Sequence, residues 1–407
     1  MYRKISTGVF RYLFPKNLIA ALSFTAIMLM LSGCAGGFNG STAEFGVNVI
    51  HFGAKGDGVT DDTAAIQKAI DYVHKKGGGK VFFPYRPKGY RLASPGRETY
   101  NGEPLRAQLV IPPGTSNIEL EGEMPCRLLN SYIVIKPKTP TQTHNVTRFG
   151  TIRNDNTFLF STWEAPEEHD ATARPWAIIA APQKSNSKIN GKFSVSHFSI
   201  KNLEFRVHLN KDKMYPTQSG ANLQNVGRVT VEHSQFCLNE NIGDGLLDKE
   251  LQENPCHTVG LMTSGDQNDH NTLRCVAVQG FKYGFVFGEH IVADYLYVHN
   301  CEEGIVFHDS SHLSHITMLV AQHNKRILST TRNRLFGHHK DVCCVEISCL
   351  NFEPGIGHSP LVNVMEHGVY DPDNRLRGYL KWHTPPWAKQ EFPTFGGKNF
   401  KIKHFGD

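Results

Sequence analysis

NVIHFGAKGDGVTDDTAAIQKAIDYVHKKGGGKVFFPYRPKGYRL, residues 48–92, decides the fold. It reads as a short strand, a glycine-rich turn, a capped amphipathic helix, a glycine turn and a second strand. Asp61 or Asp62 is placed to accept hydrogen bonds from the unpaired N–H groups of the first helical turn. Ala65, Ile66, Ala69, Ile70 and Val73 recur at helical spacing and make one apolar stripe. Gly77-Gly78-Gly79 ends the helix, and Lys80-Val81-Phe82-Phe83-Pro84 starts a strand.

Downstream the helical period disappears and short strands take over. HTVGLMT, KYGFVFG and EEGIVFH within residues 257–324 place a glycine at 260, 284 and 304, each followed by apolar residues. Between them Leu273–Gln279, Tyr295–Asn300 and Ile316–Gln322 repeat at a spacing of about 21, the mark of a coil that returns to one wall on every turn. Phe198–Arg206 and Arg228–Cys237 read as earlier rungs, with Val110-Ile111 and Ile133-Val134-Ile135 in the first turns. Residues 136–190 and 239–256 break the rhythm and read as excursions, where binding groups commonly sit on repetitive scaffolds.

The order of elements in 48–92 resembles the N-terminal cap of the pectate-lyase and polygalacturonase superfamily, including its rhamnogalacturonase/epimerase-like members. That resemblance spans about 45 residues and implies an all-β, single-stranded right-handed parallel β-helix with a short N-terminal capping helix. It speaks strongly to fold and weakly to reaction. The expected organisation is a signal peptide at 1–33, a tether at 34–47, the β-helix at 48–350, and final strands with a C-terminal cap at 351–407.

Arg3, Lys4, Arg11 and Lys16 precede an apolar run from about Leu18 to Leu31, as in a secretory signal. Leu31-Ser32-Gly33-Cys34 resembles a bacterial lipobox, which implies lipidation of Cys34 and attachment to the outer membrane, on its periplasmic face or at the cell surface. Four basic and no acidic residues leave with the signal, so the formal net charge falls from +5 to +1 and gives no electrostatic case for nucleic acid. The other cysteines show no CxxC pair and no zinc spacing, and read as buried thiols.

Counting by rungs brings acids into near register. Asp244, Asp266, Glu289 and Asp309 are separated by 22, 23 and 20 residues. Coils lie about 4.8 Å apart, so carboxylates on neighbouring or alternate coils fall roughly 5 or 10 Å apart. Those separations bracket the geometries of retaining and inverting glycoside hydrolysis. His290 stands beside the column as a further catalytic candidate, and His308, Arg326, Lys325 and Arg274 are candidates for holding a substrate charge. Arg228 and Lys282 could do the same, and Trp163 offers a ring for stacking on sugar or for anchoring its loop.

Residue-by-residue comparison with polygalacturonase motifs finds each one altered: Asn241-Ile242-Gly243-Asp244, a lone Asp266, Gly288-Glu289-His290 and Arg326-Ile327-Leu328. The expectation is therefore a carbohydrate-active enzyme on a poly- or oligosaccharide, a glycoside hydrolase ahead of a polysaccharide lyase, with a non-catalytic glycan-binding lipoprotein as the third reading. No cofactor or metal is required for hydrolysis. Ca²⁺ enters only if the chain is a lyase.

Overall fold

The computed structural model describes residues 46–126, 132–134, 147–149, 156–168, 173–182, 188–189, 192–193, 195–208, 217–224, 226–238, 258–263, 270–307, 314–322, 324, 326–330, 343–353, 367–371, 376–383 and 400–404. Cys34 and the expected signal at 1–33 lie outside them, as do Asp244, Asp266, His308, Asp309 and Lys325.

The chain winds through three parallel ladders. The first face takes Gly79–Phe83, Thr115–Gly122 and Val195–Lys201, then the leading halves of Val226–Leu238, Asn271–Gln279, Ile291–His299 and Ser314–Gln322. The second face takes Tyr90–Leu92, Phe158–Ser161 and Glu204–Val207, then the trailing halves of those long strands. The third face runs Glu103–Val110, Trp176–Ala180, Gln218–Asn222, Val259–Met262, Tyr283–Phe287, Glu303–Phe307, Arg326–Ser329 and His367–Tyr370. Visiting the three faces in turn, with every neighbour parallel, makes the expected parallel β-helix. The first and second faces meet at a one-residue corner where the backbone turns left-handed, at Asn202, His233 and Cys275 (φ 57, 45 and 53°).

Apolar residues fill the tube because each strand points alternate side chains inward. Leu261, Phe285, Ile305 and Leu328 stack in register on the third face, all fully buried. Each such side chain contributes roughly 1.5–3 kcal/mol by leaving water. The rung glycines have a packing reason. A Cβ on Gly284 would lie 2.5 Å from Gly304 O and 2.8 Å from Val278 Cγ2, so only glycine fits where the coil narrows.

The cap helix is Thr63–Lys75, and Ile66, Ala69, Ile70 and Val73 are buried against the first coils as the stripe requires. The two aspartates divide their work. Asp61 accepts from Thr63 N (3.1 Å) and Ala93 N (3.0 Å), while Asp62 accepts from Lys55 N (2.6 Å) and Gly56 N (3.0 Å), tying the glycine-rich turn to the helix start.

Several local expectations need correction. The opening strand is Gly46–Asn48, and Val49–Phe52 is a 3-10 turn capped by Asn48, whose Oδ1 accepts from Ile50 N. Residues 136–190 are not one excursion: Phe158–Ser161 and Trp176–Ala180 are rungs of the second and third faces, and Pro166 and Pro175 fall in the connection between them. Tyr132–Val134 pairs antiparallel with Thr147–Phe149, a hairpin apart from the ladder. Phe198–Arg206 is two strands broken at Asn202. Among the described cysteines, Cys126, Cys237, Cys301 and Cys343 are buried, but Cys275, Cys344 and Cys349 are partly exposed.

Candidate active face

The connections of the later coils single out one wall. From Val226 onward the first and second faces share continuous strands, whereas the chain enters the third face through 239–258 and leaves it through 308–313 and 330–342. In the first coils 84–89 and 123–157 also separate the first face from the second. Asp244 belongs to an entering connection. Asp266, Glu289, His290, His308 and Asp309 belong to leaving connections, and Lys325 directly precedes a third-face strand. Of the sequence candidates only Glu289, His290, Arg326, Arg274 and Trp163 are within the described residues; Glu289 and His290 follow the third-face strand Tyr283–Phe287, and Arg326 opens Arg326–Ser329.

Ser219, Val259, Tyr283, Glu303 and Arg326, with His367 next in register, occupy one column of this sheet. Val259 and Tyr283 cluster with Met262, Val286 and Val306 apart from the tube's core, so the column faces outward. It does so although it stands two residues before the inward Leu261, Phe285 and Ile305, the alternation breaking at the rung glycine. Arg326 Nη1 donates to Glu303 Oε1 at 2.8 Å across one coil, and Glu303 is only 3% exposed. Glu303 Oε2 is buried without a hydrogen-bond partner among the described residues. A buried carboxylate with one oxygen held and the other without a partner is a candidate for proton transfer or nucleophilic attack once that oxygen gains a contact. Beside it runs a second line: Lys282 N donates to Thr258 Oγ1 (2.8 Å), Arg326 N to Glu302 O (2.8 Å), and Lys282 Nζ sits 5.7 Å from the centre of the Tyr283 ring.

Glu289 follows the last third-face pair, Phe287 with Phe307, by two residues and is 4% exposed. His290 Nδ1 lies 4.0 Å from Glu289 Oε2, so the two candidates do meet. The position of Asp309 two residues after Phe307 matches that of Glu289 in the previous coil.

Two candidates go elsewhere. Arg274 stands on the outer first face, 56% exposed, between Glu232 (3.0 Å) and Asp294 (3.5 Å). It continues an ion-pair ladder from Lys80 through Glu121, Glu119, Lys201 and Glu232, so it stands on the first face and not beside Glu289. Trp163 packs edge-on against Trp176 with centroids 5.0 Å apart, and its carbonyl accepts from Gln218 Nε2. Arg106 lies over Trp176 and pairs with Glu168 at 2.9 Å, so the Trp163 ring anchors a loop at the upstream end of the third face. Burial there pulls the Arg174 guanidinium down to about 10.

Sequence reasoning missed Glu303 and Tyr283. A signal was present: Val259, Tyr283 and Glu303 each directly precede a rung glycine, so they share a column.

Residues 46–97 match the family described as rhamnogalacturonase A/epimerase, pectate lyase-like. Alginate lyase 7 of Azotobacter vinelandii is 62% identical over 52 residues, which is 12% of this chain and 6% of that protein. Mannuronan C5-epimerase AlgE1 of the same organism is 56% identical over 55 residues, 14% of this chain and 4% of that one. The tailspike protein of Escherichia coli bacteriophage HK620, solved with a pentasaccharide, aligns over 88% of this chain and 66% of its own, at 10% identity and a TM-score of 0.37. The family match covers the cap and stops at residue 97, well before the Glu303 column.

Proposed function

We propose that this chain, a pectate lyase-like parallel β-helix, is an enzyme that acts on a polysaccharide lying along the third face and hydrolyses it by carboxylate acid–base chemistry. The observation that carries the reading is Glu303, buried in the third-face wall, gripped by Arg326 through one oxygen and without a hydrogen-bond partner at the other among the described residues. Glu289, with His290 beside it, stands at the other edge of the same wall, six residues or roughly 20 Å along the strand direction from Glu303. The two are therefore alternative acids, each needing a partner carboxyl group on a neighbouring coil, and not one catalytic pair.

In this reading one carboxyl group protonates the glycosidic oxygen while the other attacks the sugar or activates water. Asp266 and Asp309, in connections leaving the face, and Asp244, in one entering it, extend the set. A pair on adjacent coils, about 4.8 Å apart, suits retention of configuration, and a pair two coils apart suits inversion. Arg326, Lys325 and His308 bind charged groups of the polymer. The protein works outside the cytoplasm, held at a membrane by lipid on Cys34.

A second reading is β-elimination, favoured by the alignment of Tyr283, Glu303 and Arg326 in one column. The relatives matched by the cap are named for alginate and mannuronan, acidic polymers on which elimination is feasible. Tyr283 or Lys282 would then take the proton, and Ca²⁺ held by carboxylates would assist. Incubation with alginate, polygalacturonate and a sulfated galactan separates the cases. Hydrolysis yields new reducing ends without ultraviolet absorbance from unsaturated uronate; elimination yields both. If no polymer is cleaved while one is bound, and binding survives replacement of Glu289 and Glu303, the protein is a glycan-binding module and not an enzyme.

A further inference from the structure

One corner of the coil carries a row of side chains that packing does not explain. Where the third face turns into the first, Asn117, His197, Arg228, His270 and His290 follow one another coil by coil, placed by the register of the residues beside them. All five hold a left-handed backbone, with φ of 55, 55, 58, 57 and 51°. Glycine and asparagine adopt that conformation at the lowest cost. Asn117, Asn202 and Asn300 show the chain using asparagine at such corners. Three histidines and an arginine in the rest of the column are therefore a costly choice whose return must lie in their side chains.

Those side chains point to solvent and touch one another. His197, Arg228 and His270 are exposed and His290 is half-buried. Arg228 Nη1 lies 3.1 Å from His197 Nε2, and the rings of His270 and His290 stack at 5.5 Å and 31°. The charged surroundings are sparse among the described residues. Glu289 lies at one end of the column, 4.0 Å from His290. The next outward row on the first face is Ser199, Thr230, Thr272 and Val292, bounded by Glu119 below and His315 above. The paired ions Lys201, Glu232, Arg274 and Asp294 begin only two positions further on. Nothing in the described surface neutralises Arg228.

We propose that His197, Arg228 and His270 form a binding ridge for a linear polyanionic glycan, carboxylated or sulfated, lying parallel to the coil axis and separate from the third-face site. Coils rise by about 4.8 Å, so the ridge offers one cationic or hydrogen-bonding group per coil to anionic groups repeated along a chain. Arg228, held 3.1 Å from His197 Nε2, is the ridge's fixed cation, and the histidine rings offer hydrogen-bonding nitrogens on either side of it. This inference does not depend on the catalytic reading.

The test is affinity electrophoresis through gels containing polygalacturonate, a sulfated galactan, a neutral glucan or polyphosphate. Retardation by the two acidic glycans, lost on adding salt, is expected. Arg228→Asn with His270→Asn keeps residues suited to the backbone and should weaken retardation by about tenfold or more, with an unchanged unfolding midpoint. Equal retardation of the variant, equal retardation by neutral glucan, stronger retardation by polyphosphate, or no retardation would each overturn the proposal. If the double variant does not fold, competition on the unaltered protein decides: oligogalacturonate must release it from the gel matrix and neutral oligosaccharide must not.

Discussion

Glu303 and Arg326 are 23 residues apart in sequence, so their energies couple only if their coils adjoin. Glu303 is 3% exposed and the Arg326 side chain 17%, which makes this a largely buried pair. Truncating one partner leaves the other charge buried, at a cost of about 3–5 kcal/mol. Replacing Glu303 by Gln keeps an acceptor for Arg326 Nη1 and should cost less, about 1–2 kcal/mol, the difference between a charge-assisted and an ordinary hydrogen bond. The decisive experiment is a double-mutant cycle, with Glu303→Ala, Arg326→Ala and both, read by urea unfolding. A coupling energy of about 1.5–3 kcal/mol is expected, with the double variant more stable than the two single losses added. Losses that add within about 0.5 kcal/mol would show that the pair does not form and would remove the anchor of the proposed site.

Other expectations follow from neighbouring parts of the molecule. At Asp61, desolvation is outweighed by hydrogen bonds from Ser94, Thr63 and Ala93, which bring the carboxyl down to about 2. Its contribution is present above the unfolded value near 3.9 and fades as pH falls toward 2; with the group mostly exposed it is worth no more than about 1 kcal/mol. Burial raises the Asp62 carboxyl and so acts in the opposite sense, which is why Asp61→Asn, compared with the parent by unfolding between about pH 5 and 2, isolates the effect: the variant should lose the acid-side slope. Gly284→Ala should destabilise by about 1–3 kcal/mol, because its Cβ meets a backbone oxygen at 2.5 Å, and thermal unfolding would show it. Arg274→Gln, on the exposed ladder, should shift stability by no more than about 1 kcal/mol. Cys34→Ser should move the protein from the membrane to the soluble fraction if Cys34 carries lipid.

The cap was legible because a helix end leaves unpaired N–H groups that only certain side chains satisfy, and Asp61, Asp62 and three glycines announce both ends. The rungs from 257 onward were legible because Gly260, Gly284 and Gly304 mark a narrow point on each coil. Phe158–Ser161 and Trp176–Ala180 were hidden because long connections destroy the spacing while leaving the pairing intact. The site was half legible. Its acids were sought at fixed offsets after the glycines, which found Glu289, while Glu303, just before Gly304, reads in sequence as an ordinary turn residue. Its burial and its grip on Arg326 exist only once neighbouring coils are stacked. The left-handed histidine corner is a backbone property that no residue pattern in this single chain displays.

The third face as the reacting wall is tested most directly by turnover of whichever acidic polymer the protein cleaves, compared among the parent, Glu303→Gln, Glu289→Gln and Arg274→Gln. The account predicts that Glu303→Gln loses about 10²–10⁴-fold in kcat while remaining folded, and that Arg274→Gln keeps the parent rate. Equal rates for all four, or a loss confined to Arg274→Gln, would contradict it.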